Sequence, residues 1–167
     1  LGLVFVLKTD KSAAGGGHLY WGSILSDGTD GRVSLIAVAN ASINFKNPSI
    51  CTDGTKYPPG GTYYYVAAEF VTPVTDVSRG LFITRTTNWG KNWVSPDTSI
   101  KGAQESTPVI AIDWSTTPDS LCLAFTRFAA PTREIRTARN SFSFANPWAL
   151  TYPASSKDDY DPSMAID

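Results

Sequence analysis

Histidine, methionine and cysteine are nearly missing from this sequence, whose 167 residues hold one His, one Met and two Cys. With His18 as the single histidine, a histidine-based metal site or a serine-hydrolase triad would rest on one residue, and both are set aside. Cys51 and Cys122 are too few for a disulfide scaffold and too widely spaced for a zinc knuckle, so they read as small buried residues. Charge is sparse as well: Asp, Glu, Lys and Arg make up 17% of the chain, against a usual ~25%. The formal net charge is -1 and no run of Lys or Arg occurs, so a nucleic-acid footprint is absent and no nucleic-acid partner is expected. Apolar runs such as residues 1–7 and 35–39 fall far short of the roughly 18 residues that cross a bilayer, which leaves no membrane span. No stretch of about 11 residues keeps an i, i+3, i+4, i+7 apolar pattern free of Gly, Pro or β-branched interruption, so essentially no helix is expected. The chain opens on Leu with no basic segment, apolar core and cleavage site ahead of the fold; the gene's start is expected upstream, where a signal peptide has room.

What is present is repetition. NPSICTD at residues 47–53, TPVIAID at 107–113 and DPSMAID at 161–167 are one motif: a polar residue, Pro, a small or β-branched residue, Ile or Met, a small residue, Ile or Thr, then Asp. Pro48, Pro108 and Pro162 lie 60 and 54 positions apart, a period that signals an array of supersecondary units. Within each period the texture is strand and turn. Residues 62–71 (TYYYVAAEFV) and 121–128 (LCLAFTRF) read as second strands, 80–86 and 133–139 as third strands, and 93–95 and 148–152 as short fourth strands. The first strand of each unit reads as the shortest and the smallest in side chain, which suits an innermost position near an axis. Residues 1–8, 18–25 and 32–40 then match a second, third and fourth strand whose first strand is missing.

These readings converge on an all-β chain built as a β-propeller of about three four-stranded blades. Residues 1–46 form an incomplete blade, 47–106 and 107–160 a blade each, and 161–167 the innermost strand of a further or closing blade. Three units are fewer than the four to eight that typically close a ring. The chain is therefore read either as a fragment of a six- or seven-bladed propeller, the favoured alternative, or as a half completed by a second copy.

The turn after the middle third strand reads TTNWGKNW, residues 86–93. It resembles the Asp-box, or BNR repeat, of sialidase-like propellers, with Thr86, Asn88, Gly90 and Trp93 at the specified places and Asn88 standing where the family has Asp. Asn can make the same local bonds to backbone; Gly90 supplies a backbone conformation other residues resist, and Trp93 is expected to fold over the turn. The corresponding stretch 138–148 keeps an aromatic and loses the Gly. What the resemblance implies is a structural, non-catalytic role for these four residues on the rim away from any active site, and an extracellular or cell-surface location.

Proteins of this kind include exo-sialidases and plain binding propellers, and fold does not choose between them. A sialidase-like enzyme needs three clamp arginines, a Tyr and Glu pair, an acid/base Asp and an Arg-Ile-Pro motif. Here Pro48, Pro108 and Pro162 follow Asn47, Thr107 and Asp161, so the first clamp arginine has no matching position. Glu69 and Arg127, set among apolar neighbours in second strands, are the remaining candidates for a funnel. Asp53, Asp113 and Asp167 recur at each first-strand exit and read as turn caps, while Arg85, Arg136 and Arg139 read as stems covering inter-blade surface. SDGTDG at residues 26–31 places Asp27 and Asp30 in a glycine-rich turn that suits Ca²⁺ less well than a plain hairpin; no other cofactor is implied. Trp21, Trp89, Trp114 and Tyr63 to Tyr65 suit sugar stacking or blade packing. The first expectation is a non-catalytic segment that binds a glycan or a protein or builds an assembly. The alternative is part of a sialidase-like exo-glycosidase whose catalytic residues lie mostly outside this chain.

Overall fold

The structure is a computed structural model that describes residues 2–7, 17–24, 27–40, 42–53, 63–73, 75, 77–86, 88, 90–102, 104–115, 120–129, 131–141, 147–151 and 162–164. Among these residues there is no helix. Ten strands follow in order: β1 (Gly2–Leu7), β2 (His18–Ile24), β3 (Asp30–Ala37), β4 (Asn44–Thr52), β5 (Tyr64–Val71), β6 (Ser78–Thr86), β7 (Glu105–Asp113), β8 (Ser120–Ala129), β9 (Thr132–Ser141) and β10 (Ala149–Thr151). They make three separate antiparallel sheets, β1-β2-β3, β4-β5-β6 and β7-β8-β9-β10, in each of which strands consecutive in sequence are neighbours. The all-β expectation therefore holds, with strands close to where turn residues and β-branched or aromatic runs placed them.

Two details differ from the sequence reading. The first strands are not the shortest: β4 and β7 have 9 residues each, starting at Asn44 and Glu105, upstream of their prolines. A bulge makes this possible. Register slips between Lys46 and Ser49 and between Ser106 and Val109, so each proline, with no N–H to give, sits where the ladder asks for none. The residues before the prolines, Asn47 and Thr107, are left-handed with φ of 45° and 46°. Such a conformation costs on the order of 1–3 kcal/mol in a non-glycine residue, and each is held by its own side chain. Asn47 Nδ2 donates to Glu69 Oε2 at 2.9 Å, and Thr107 Oγ1 bonds Thr126 Oγ1 at 3.0 Å. Secondly, residues 93–95 form no strand. Instead the chain over 94–100 runs as an irregular edge along β6, with Val94 N–H donating to Arg85 O at 2.9 Å, a bridge between Asp97 and Ile83, and Leu81 N–H donating to Ile100 O at 2.9 Å. Pro96, with no donor, lies in this edge. Pro162 to Met164 carry no regular structure, Pro162 being buried, and the remainder of 161–167 lies outside the described residues.

The middle sheet is packed on both faces. Along β5, Tyr64 to Glu69 are all buried, because alternate side chains serve different cores. Tyr65 and Ala67, with Leu81 and Ile83 of β6, meet Ile110, Ile112, Leu121, Leu123 and Phe125 of the third sheet. Val66 and Ala68, with Phe82, meet Leu19 of β2 and Ile36 of β3 in the first sheet. The continuous apolar run of β5 is the sequence of a strand that never faces water. β4 lies beside both β1 and β7, and Ile110 N–H donates to Ser49 Oγ at 3.1 Å, stitching β4 to β7.

Leu123 has no exposed surface at the centre of the core between the second and third sheets. Leu123→Ala is predicted to lower unfolding free energy by about 2–5 kcal/mol, whereas Val33→Ala, at a residue 65% exposed, is predicted to change it by less than about 0.5 kcal/mol; chemical denaturation measures both.

Candidate functional site

The sequence-derived candidates fall at opposite ends of the sheets. At one end are the strand exits Asp53 and Asp113 and the hairpin from Thr86; at the other, where β4 and β7 begin, are Glu69 and Arg127.

The hairpin is pinned by side chains. Thr86 Oγ1 accepts from Gly90 N–H at 3.1 Å and Asn88 N–H at 3.4 Å, and itself donates to Asn88 Oδ1 at 3.0 Å. Asn88 Oδ1 also accepts from Asn92 N–H at 2.9 Å, so the carboxamide oxygen does what a carboxylate would do there. Gly90 has φ +72°, and a Cβ on it would lie 2.5 Å from Trp21 Cε3. The ring against Gly90 is thus Trp21, from the first sheet. Trp93 packs into the core between the first and second sheets and donates from Nε1 to Ser34 Oγ at 3.3 Å, while Ser34 Oγ donates to Gly90 O at 2.5 Å. The turn therefore clamps two sheets together as well as closing itself.

Next to it the two aspartates play a repeated part with unequal outcomes. Asp113 Oδ1 accepts from Ser115 N–H at 3.0 Å and Ser115 Oγ at 2.5 Å, and Oδ2 pairs with Arg139. The Ser115 bonds and then the Arg139 guanidinium hold its carboxyl below the usual range. Asp53 Oδ1 caps Tyr63 N–H at 3.0 Å, but its Oδ2 is buried with no hydrogen-bond partner. Burial pushes the Asp53 carboxyl up, against the lowering effect of the Tyr63 bond. Arg85, at the register position that Arg139 holds in the third sheet, lies over the Tyr63 ring at 5.9 Å. Cys51 and Cys122 are free thiols, both raised by burial, and neither is poised as a nucleophile.

At the opposite end, Glu69 is buried and committed to the Asn47 bulge. Arg127 belongs to a cleft of about 160 Å³ between residues 99–101 and strands β8 to β10. Its buried lining is Phe125, Trp148 and Glu105, its rim Lys101, Arg127, Arg136 and Leu150. Trp148 Nε1 donates to Asp97 Oδ2 at 2.9 Å, which fixes the indole. Arg136 Nε donates to Glu134 Oε2 at 2.8 Å. Arg127 Nε stands 3.9 Å from the nearly buried Glu105 Oε1, too far for a hydrogen bond, and that nitrogen is buried without a partner. The structure does not bring Glu69 into this cleft. Glu105, Lys101 and Trp148 were missed by sequence reasoning; Glu105 lies just ahead of the TPVIAID motif, in a stretch the motif left outside its strand.

Asp27 forms an exposed turn in which its Oδ1 accepts from Thr29 N–H at 2.9 Å and Thr29 Oγ1 at 2.6 Å, holding its carboxyl below the usual range. Asp30 opens β3 opposite Ile24. Among the described residues no three His, Cys, Asp or Glu side chains are grouped to hold a metal ion. His18 Nδ1 accepts from Ala39 N–H at 2.9 Å, a local tie. Trp89, Asp167 and residues 157–161 lie outside the described residues.

Gly90→Ala adds left-handed strain of roughly 1–2 kcal/mol to overpacking of roughly 1–3 kcal/mol against Trp21, while Asn88→Asp, keeping the acceptor, is predicted to stay within about 0.5 kcal/mol of wild type; denaturation curves test the pair. For the aspartates the signs oppose. A carboxyl raised by burial loses stability as pH rises through its range, so Asp53→Asn is expected to raise the melting temperature at pH 7, by about 2–4 °C for 1 kcal/mol, with the gain vanishing below pH ~4. Asp113, lowered in the fold, contributes stability above the ordinary carboxylate range that is lost in acid, so Asp113→Asn is expected to lower the melting temperature at pH 7 and to match wild type in acid.

Comparison with known proteins finds no matching protein family, no similar curated protein and no similar solved structure.

Proposed function

We propose that this chain is a segment of a β-propeller of the Asp-box type that acts outside the cell as a non-catalytic binding module, with a glycan as its ligand. The observation carrying the reading is the cleft over Phe125 and Trp148, an aromatic lining rimmed by Lys101 and Arg127. Sugar rings offer an apolar C–H face to aromatic floors and hydroxyls to planar or charged rims. Arg127, its side chain 30% exposed at the cleft, brings guanidinium N–H groups to which a ligand oxygen can be an acceptor. The propeller part is supported by meandering sheets packed face to face, by inner strands β4 and β7 side by side, and by a hairpin whose Thr86, Asn88 and Gly90 bond as an Asp-box requires. The non-catalytic part is supported by Glu69, the candidate carboxylate, being tied to Asn47.

A glycan array followed by isothermal titration with the best hit tests this. Binding is expected to weaken at least about tenfold in Arg127→Ala and Lys101→Ala with the melting temperature unchanged, and a fluorogenic sialoside is expected to remain intact. Turnover of that sialoside, or binding indifferent to both substitutions, overturns the reading.

A further inference from the structure

Between the first and second sheets the chain carries a motif that neither the strands nor the cleft use. Asn40, Ala41 and Ser42 spell Asn-X-Ser with X other than proline, the acceptor sequence for an N-linked glycan, which belongs on the surface of a secreted chain. No other asparagine meets the rule. Asn47 has Ser49 two positions on, but Pro48 stands between, and Asn47 Nδ2 is committed to the buried Glu69; the remaining asparagines have neither Ser nor Thr at that distance.

The local bonds present Asn40 as an acceptor. It lies between β3 and β4, and Asn40 and Ser42 are both exposed. Asn40 N–H donates to Ile43 O at 2.8 Å and Ile43 N–H to Asn40 O at 3.3 Å, while Ile43 packs against the core between the first two sheets and anchors this end. Asn40 Oδ1 accepts from Ser42 N–H at 2.7 Å and from Ile43 N–H at 3.1 Å. Such an Asx turn occupies the carboxamide oxygen and not the nitrogen. Among the described residues nothing accepts from Asn40 Nδ2, and the Ser42 hydroxyl makes no bond either. The two groups that define the motif are thus the two that the turn leaves unused.

We propose that Asn40 carries an N-linked glycan. The donor is an oligosaccharide held on a polyprenyl diphosphate. Asn40 Nδ2 attacks its anomeric carbon, the new N–C bond replaces the C–O bond to phosphate, the diphosphate leaves with the electron pair, and Nδ2 gives up one of its two protons to a base of the transferase. The carboxamide keeps Oδ1 and one N–H, so every bond of the turn survives with the sugar in place. This rests on the extracellular part of the reading above and asks nothing of the cleft, whose lining comes from residues 99–101 and β8 to β10.

Mass spectrometry of the protein isolated from its own source, with and without peptide N-glycosidase, tests it. The peptide bearing Asn40 is expected to carry the mass of a glycan and, after digestion in heavy-oxygen water, to have Asn40 converted to a labelled aspartate. Directed into the secretory pathway of a eukaryotic host by a signal peptide, wild type and Ser42→Thr are expected to be glycosylated. Ser42→Ala, which keeps both backbone donors of the turn, is expected to lose the glycan completely while melting with the digested wild type. Unmodified Asn40 in protein recovered outside the cell, or a Ser42→Ala protein modified as fully as wild type, overturns the inference and leaves the glycan titration of the cleft standing. Unmodified Asn40 in protein found only inside the cell overturns the inference and the extracellular reading together.

Discussion

The middle sheet has no face left for water, and the rest of the molecule is arranged around that constraint. A strand buried on one side can alternate apolar and polar residues; one buried on both must be apolar at consecutive positions and keep its polar groups bonded. β5 meets the first condition with Tyr64 to Ala68 and the second through Glu69, whose carboxylate is used by Asn47. Small residues at Ala67 and Ala68 let sheets approach on either side while the larger Ile83, Phe82 and Leu123 fill the gaps. The flanking sheets differ: β8 is buried at consecutive positions from Leu121 to Thr126, whereas β3 alternates exposed Val33 and Leu35 with half-buried Ser34 and Ile36.

The two edge strands β4 and β7 show how repetition can preserve a backbone device while changing its chemistry. In both, a left-handed residue ahead of proline opens a bulge, and in both the second strand supplies a side chain at the same register position to hold it, Glu69 in one and Thr126 in the other. The geometry is common; a carboxamide with a carboxylate satisfies it in one and a pair of hydroxyls in the other. The strand-exit aspartates diverge further. Asp113 gains Arg139, while Asp53 faces a position whose arginine lies over Tyr63, leaving one oxygen buried and unbonded. Equivalent positions therefore differ in the sign of their electrostatic contribution.

This divergence explains what could be read in advance. The strands were legible because β-branched and aromatic runs bounded by Gly and Pro leave few other options, and the period was legible because a proline bulge tolerates little variation. The Thr86 hairpin was legible because its bonds are local. The cleft was not, because Lys101, Glu105, Arg127 and Trp148 come from four segments that meet only when two sheets pack. Glu69 was misleading for a related reason: a carboxylate in an apolar strand signals a special position, and local sequence does not say whether the specialty is chemistry or support for a bulge. The length of β4 and β7 escaped because prolines were read as strand starts when a bulge let them sit inside.

The two ends of the sheets hold different kinds of contact. At the hairpin end Thr86 and Asn88 bond backbone N–H groups, Trp93 and Ser34 tie one sheet to the next and Asp113 pairs with Arg139, while Asp53 Oδ2 stays buried and unbonded. At the other end Arg127 keeps a buried nitrogen without an acceptor, beside a carboxylate held just out of hydrogen-bonding reach. An unmet buried donor costs stability, and packing elsewhere offsets it. With an unbonded buried atom at each end, Asp53 Oδ2 at one and Arg127 Nε at the other, the cost is carried by the apolar cores that lie between them.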